Sequence, residues 1–184
     1  MTYSFTQISQ YLRCPRQYRY RYLDGWREKE DKAAMMFGRC FENALSAYFA
    51  GEDSTATFFQ EWRKYQDASL AYAKNDSWDR LYHQGIHLLE RFAQHDRVRI
   101  ARPKENLQVK LTRSLPSGGQ FLSYIDAIGE LDGTKCIIDW KTTGTLTYLT
   151  VRDLSITIML MMKESFPRAN NSFLHLLLGH KLVI

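Results

Sequence analysis

Four side chains of this sequence have types and spacing that could do chemistry together: Asp126, Asp139, Lys141 and, on a distant segment, Glu42. Asp132-Gly133 is a strong two-residue hairpin signal, and the turn fixes an antiparallel register. With Leu131 facing Thr134, Asp126 falls opposite Asp139 on the same face of the ribbon, with Cβ atoms roughly 5 Å apart. Lys141 shares that face by the two-residue period and falls opposite Tyr124. Two carboxylates this close repel and raise each other's pKa unless a positive charge sits between them, and a divalent cation that prefers oxygen is the usual solution. A lysine beside a metal-held water and a phosphodiester can orient the nucleophile and stabilise the charge that builds on the scissile phosphate. The same residues on an exposed ribbon would be an ordinary Asp/Lys cross-strand pair, and a bulge would break the register.

The elements that must position these groups can be read from hydrophobic period and punctuation. Asp139 follows the apolar run Cys136-Ile137-Ile138, expected of a strand covered on both faces, and Trp140 comes next. That strand is expected over 134–141. Its partner spans 121–131, and an alternating strand precedes it at Leu107, Val109 and Leu111, with the loop Pro116 to Gly119 between. Apolar residues at three- and four-residue steps predict a helix over 33–49, closed by Gly51. Glu42 lies on that helix along the face of Gly38, Leu45 and Phe49, which makes it a candidate third carboxylate; a border residue facing water is the other reading.

Ser4 and Gln7 form a capping box for an N-terminal helix, and Pro15 opens a second one running to about residue 23, with Gly25 closing it, although the alternation of arginine and tyrosine there would also suit a strand. Further helices are expected over 54–73 and 77–94, and Pro103 ends the helical half. Beyond the hairpin, a helix over 153–164 and strands over 173–178 and 182–184 complete the pattern. The expected architecture is one α/β domain over 1–184, mainly helical over 1–102, with a mixed sheet and helix over 103–184.

The 184 residues carry 25 Lys and Arg against 20 Asp and Glu, a net charge of +5. A 45% hydrophobic content excludes a disordered or collagen-like chain. The charge excess is compatible with a polyanion but demands none. Neither a secretory signal nor a bilayer-spanning run is visible, and three scattered cysteines form no disulfide framework or metal knuckle, so a cytoplasmic protein is expected. His83 and His87 have metal-compatible spacing but lack a third ligand.

Arg13, Arg16, Arg19 and Arg21 are interleaved with Tyr11, Tyr18, Tyr20 and Tyr22. This supplies guanidiniums for phosphates and rings able to stack on unpaired bases, although tyrosines packed in a core beneath solvated arginines would give the same pattern. On a helix, Tyr11, Tyr18 and Tyr22 form one stripe, and Arg13, Arg16 and Arg19 another.

Taken in order, SFTQISQYLRCPRQYRYRYL, FGRCFENAL, YIDAIGELDG and CIIDWKTT resemble the RecB-like branch of the PD-(D/E)XK nuclease superfamily. The branch includes AddB nuclease domains and CRISPR-associated exonucleases. Its D-x-K-T-[ST] motif matches Asp139, Lys141, Thr142 and Thr143, and Asp126 stands at the position of its motif aspartate. The resemblance implies a restriction-endonuclease-like fold and hydrolysis of DNA with single-stranded or free ends. It implies Mg²⁺ or Mn²⁺ held by Asp126, Asp139 and the main-chain carbonyl of Trp140, with Lys141 serving the attacking water. Arg13, Arg16, Arg19, Arg21, Tyr18, Thr142 and Thr143 are the expected nucleic-acid contacts, and relatives often work with a helicase or CRISPR integrase. Three departures stand out. The family's G-x-x-x-H helix motif has Gly38 but Glu42 in place of histidine, and many superfamily members put a metal-ligating glutamate on this helix. The Q-x-x-x-Y motif would fall near Ser155 and Met159, where neither residue type is kept, which leaves a catalytically inactive DNA-binding or scaffolding relative as the alternative. Cys14 has the Cys-Pro context of an iron–sulfur ligand, but no cysteine follows Cys136, so no cluster is expected; Cys14, Cys40 and Cys136 read as small buried residues.

Overall fold

The computed structural model describes residues 1–94, 97–116, 118–140 and 142. Among the described residues the chain forms helices and a mixed five-stranded sheet, and it divides into two compact units interleaved along the sequence. Among the described residues, Met1–Arg27 and Gln108–Asp126 make the first unit, while Glu28–Leu107 and the chain from Ala127 make the second.

In the first unit, Ser4 caps helix α1 (Phe5–Arg13) as its spacing predicts. The Gln7 amide donates to Ser4 Oγ at 3.3 Å, and the Ser4 amide donates to Gln7 Oε1 at 2.8 Å. Just before it, strand β1 (Thr2–Ser4) pairs in parallel with the start of β6 (Gln120–Leu131), Thr2 opposite Gln120. Three residues are too few for an alternation to show, so this strand is not legible in the sequence. Extended Cys14 ends α1, and Pro15 opens α2 (Pro15–Tyr18), where its missing N–H costs nothing. The helix then widens into a π-helix over Arg19–Leu23. Strand β5 (Leu107–Ser114), whose side chains alternate between half-buried and exposed, pairs with β6. The loop between them turns on Gly118 and Gly119, at φ +83° and +96°. A Cβ on Gly119 would stand 2.7 Å from the Met1 carbonyl oxygen, so glycine is what lets β1 come alongside.

The second unit is built on aromatic packing. Helix α3 (Ala33–Ala50) ends on Gly51 in the left-handed region, α4 (Ser54–Arg63) starts on an Asp53 cap, and α5 (Trp78–Gln94) follows. Phe37 and Phe41 of α3 meet Phe58 of α4 with centroids 5.7 and 6.3 Å apart, and Phe37 meets Trp62 at 6.0 Å. Trp62 Nε1 donates to the Trp78 carbonyl at 3.1 Å and Trp78 Nε1 to the Trp62 carbonyl at 3.2 Å. This reciprocal clasp explains why α4 stops at Arg63 and not near residue 73. Beyond Arg63 the chain leaves the helix and turns through i+3 bonds instead. Two short strands, β2 (Asp31–Lys32) and β3 (Leu70–Ala71), pair in parallel. Pro103 does not simply end the helical half: β4 (Val98–Arg99) has already joined β6, with Val98 opposite Leu131, and Pro103 opens one-turn α6 (Pro103–Asn106).

The hairpin closes on Asp132 and Gly133 at φ +51° and +79°, which suits a two-residue primed turn. Arg97 braces it with hydrogen bonds of 3.0 and 2.6 Å to the Asp132 carboxylate. Strand β7 is Thr134–Ile138, shorter than the expected 134–141, and within its apolar run Ile137 is only half-buried while Cys136 and Ile138 are buried. The helix expected over 153–164 and the strands over 173–178 and 182–184 lie outside the described residues. Among the described residues, no helix is long and apolar enough to cross a membrane.

Candidate active site

The β6–β7 ladder has the register that its turn predicts. Leu131 pairs with Thr134, Glu130 with Lys135, Gly129 with Cys136, Ile128 with Ile137 and Ala127 with Ile138. Alternation puts Leu131, Gly129 and Ala127 on one face with Thr134, Cys136 and Ile138. The other face carries Glu130 opposite Lys135, then Ile128 opposite Ile137. Gly129 permits this crowding: a Cβ there would lie 2.6 Å from the Arg99 carbonyl oxygen of β4. Asp126 is the residue before Ala127, and Asp139 is the residue after Ile138.

In the second unit, Asp139 is half-buried, and its Oδ2 is shielded from solvent. Trp140 is buried, stacked on Phe49 of α3 at 6.0 Å and edge-on to Phe92 of α5 at 5.9 Å. Two residues on, Thr142 reaches α3 one turn before Glu42, where a Cβ added to Gly38 would meet its Oγ1 at 3.4 Å. Gly38, Glu42 and Phe49 lie on one helix face by the 3.6-residue period. Trp140 and Thr142 therefore meet that face at two points, with Glu42, half-buried, between them. Glycine at position 38 and the large ring at 49 were the sequence signals for this approach.

Asp126 of the first unit is half-buried. Lys141 and Thr143 lie outside the described residues. Among the described residues, no group of three or more His, Cys, Asp or Glu side chains is gathered so that it could hold a metal ion. The donors named by sequence, carboxylates and a main-chain carbonyl, are nonetheless all oxygen, the set that Mg²⁺ and Mn²⁺ prefer.

Arg13, Arg16, Arg19 and Arg21 are exposed. Tyr11, Tyr18 and Tyr22 form the expected stripe, with centroids 5.4 and 5.1 Å apart along it. Of these tyrosines Tyr11 is exposed, and Tyr18 and Tyr22 are half-buried. Cys40 and Cys136 are buried as expected, whereas Cys14 is half-buried, since it sits at the extended joint between α1 and α2. Burial, reinforced by the negative charge of Glu61, pushes the Cys40 thiol up to about 11. Burial raises the Cys136 thiol as well. His83 and His87 are exposed on α5.

In comparisons with known proteins, the model of the PD-(D/E)XK nuclease superfamily matches residues 2–153, a span that includes every candidate site residue. No curated protein and no solved structure matches the chain significantly.

Proposed function

Because the chain belongs to the PD-(D/E)XK nuclease superfamily, we propose that it is a cytoplasmic, metal-dependent deoxyribonuclease of the RecB-like exonuclease type. The observation that carries this reading is the hairpin register. Five successive pairs run without a bulge to Ala127 and Ile138, and continuing by one residue would bring Asp126 opposite Asp139. On the same face, Glu130 opposite Lys135 is an ordinary compensated pair. Two facing acids need a different partner, and a cation supplies it.

Asp126, Asp139 and the Trp140 carbonyl would hold Mg²⁺ or Mn²⁺, with Glu42 completing or adjusting the set from α3. The bound cation supplies Lewis-acid polarisation of the phosphodiester and a nucleophile available at neutral pH. Trp140, packed against Phe49 and Phe92, anchors the main chain next to Asp139. Lys141 orients the attacking water and offsets charge on the scissile phosphate, while Thr142 and Thr143 position the strand. Arg13, Arg16, Arg19 and Arg21 pair with phosphates, and Tyr18 stacks beside them. The product is a 5′-phosphate.

A second reading has its own observation: Ser155 and Met159 stand where the Q-x-x-x-Y motif would be, as in a relative that binds DNA without cutting it. Labelled single- and double-stranded DNA incubated with the protein in Mg²⁺, Mn²⁺ or EDTA, beside Asp139→Ala, separates the two. Cleavage that requires metal and is lost in Asp139→Ala is expected. Cleavage that persists in the variant contradicts the site assignment, and binding with no cleavage under any condition selects the second reading.

A further inference from the structure

The first unit carries two rings, Tyr20 and Trp26, to which the hydrolytic site gives no role. The π-helix ends on Asp24, and Gly25 follows at φ +76°. The Trp26 amide then donates to the Tyr20 carbonyl at 2.8 Å. This is a Schellman-like closure, wider than usual because the last turn is π. It brings the Trp26 ring to 6.0 Å from the Tyr20 ring at a 44° tilt. Such a cap normally hides its apolar pair, yet here Trp26 is 71% and Tyr20 41% exposed.

The rings are braced. Arg16 Nε donates to the Tyr20 hydroxyl at 2.9 Å, and its guanidinium carbon lies 5.7 Å from that ring's centroid. Arg27 Nη1 donates to the carbonyls of Arg21 and Trp26 at 2.6 and 3.1 Å. From Arg13 to Arg27 the chain holds five arginines and a single acid, Asp24, which is paired with Arg19 at 3.4 Å. Open ring faces held in place and braced by the Arg16 and Arg27 guanidiniums complement one kind of partner: a polyanion that also presents bare aromatic faces. An acidic protein surface matches the charge but presents few bare aromatic faces, and a blunt duplex hides its base faces in its own stack.

We propose that Trp26, seated on Tyr20, is a stacking platform for an unpaired base of single-stranded nucleic acid, with Arg13, Arg21 and Arg27 meeting its phosphates. The proposal deepens the nuclease reading and rests on it for the choice of partner, but the platform binds without metal. It makes the protein select a frayed or single-stranded end before any bond is cut.

The test is fluorescence anisotropy of the full chain in EDTA with labelled oligothymidine of about 20 nucleotides, its ribose counterpart, an abasic strand of equal length, and a blunt duplex. Wild type is expected to bind either base-bearing strand about tenfold tighter than the abasic one. Trp26→Ala, checked for an unchanged circular-dichroism spectrum, is expected to lose about tenfold on the base-bearing strands and less than about twofold on the abasic strand and duplex. Trp26→Phe, which keeps a ring, should retain most of the affinity. Equal wild-type affinity for abasic and base-bearing strands, or an equal loss on all four probes in Trp26→Ala, overturns the proposal; the abasic comparison needs no variant to fold. Failure of wild type to cleave in Mg²⁺ would count against the nuclease reading alone.

Discussion

Asp139 sits where a charged side chain is costly: it follows buried Ile138, precedes buried Trp140, and has one carboxylate oxygen shielded from water. A chain that only needed a surface hairpin would have no reason to end its most apolar strand this way. Lys141, two residues on, has the charge to act on water and phosphate, so Lys141→Ala should lower kcat by about 10²–10³. Steady-state kinetics would show KM changing far less. Cys40 gives a prediction independent of activity. An unfolded thiol ionises near 9 and the folded one at about 11. The stability this group contributes is therefore complete below pH 9 and is lost as pH climbs toward 11, about 2–3 kcal/mol in all. Denaturant unfolding across that range should show a shallower alkaline decline in Cys40→Ala than in wild type. At this scale the sequence was informative about residue types. It said little about surroundings: nothing in C-P-R marks Cys14 as half-buried, because that depends on how α1 and α2 meet.

Among the elements, the hairpin was the most legible, because Asp132-Gly133 fixes turn and register locally. Helix α3 was legible for a related reason: eight of its residues are buried at helical spacing, and Gly51 supplies the left-handed cap. Helix α4 was overextended because period alone does not reveal that the Trp62–Trp78 clasp redirects the chain. The short strands β1 to β4 were invisible, since each exists only through a partner distant in sequence. Packing between α4 and α5 also gives a sharp test. Gly85 is buried against Phe58, whose ring would lie 2.2 Å from an added Cβ. Phe58 is itself fully buried and has nowhere to move. Gly85→Ala should therefore cost about 1–3 kcal/mol despite alanine's better helix propensity, seen as a lower urea midpoint at unchanged slope.

For the molecule as a whole, the net charge of +5 says less than its distribution. Five arginines lie between residues 13 and 27, while the acids proposed as ligands, Asp126, Asp139 and Glu42, come from separate stretches of chain. Binding to DNA should therefore be steeply salt-dependent. Arg13→Ala should reduce the slope of log affinity against log salt by about 0.7 on single strands, while weakening binding to all sequences alike. The interleaving of two units, with β6 contributing to both, was not legible in a sequence that shows no linker or repeat. Hydrolysis at this site requires Asp126 and Asp139 to share one cation. Electron paramagnetic resonance of Mn²⁺ titrated into wild type, Asp126→Asn and Asp139→Asn measures this without reference to activity. Saturable Mn²⁺ binding is expected in wild type and should be lost or strongly weakened in each variant; binding that survives unchanged in either variant, or that is absent from wild type, would contradict a shared cation.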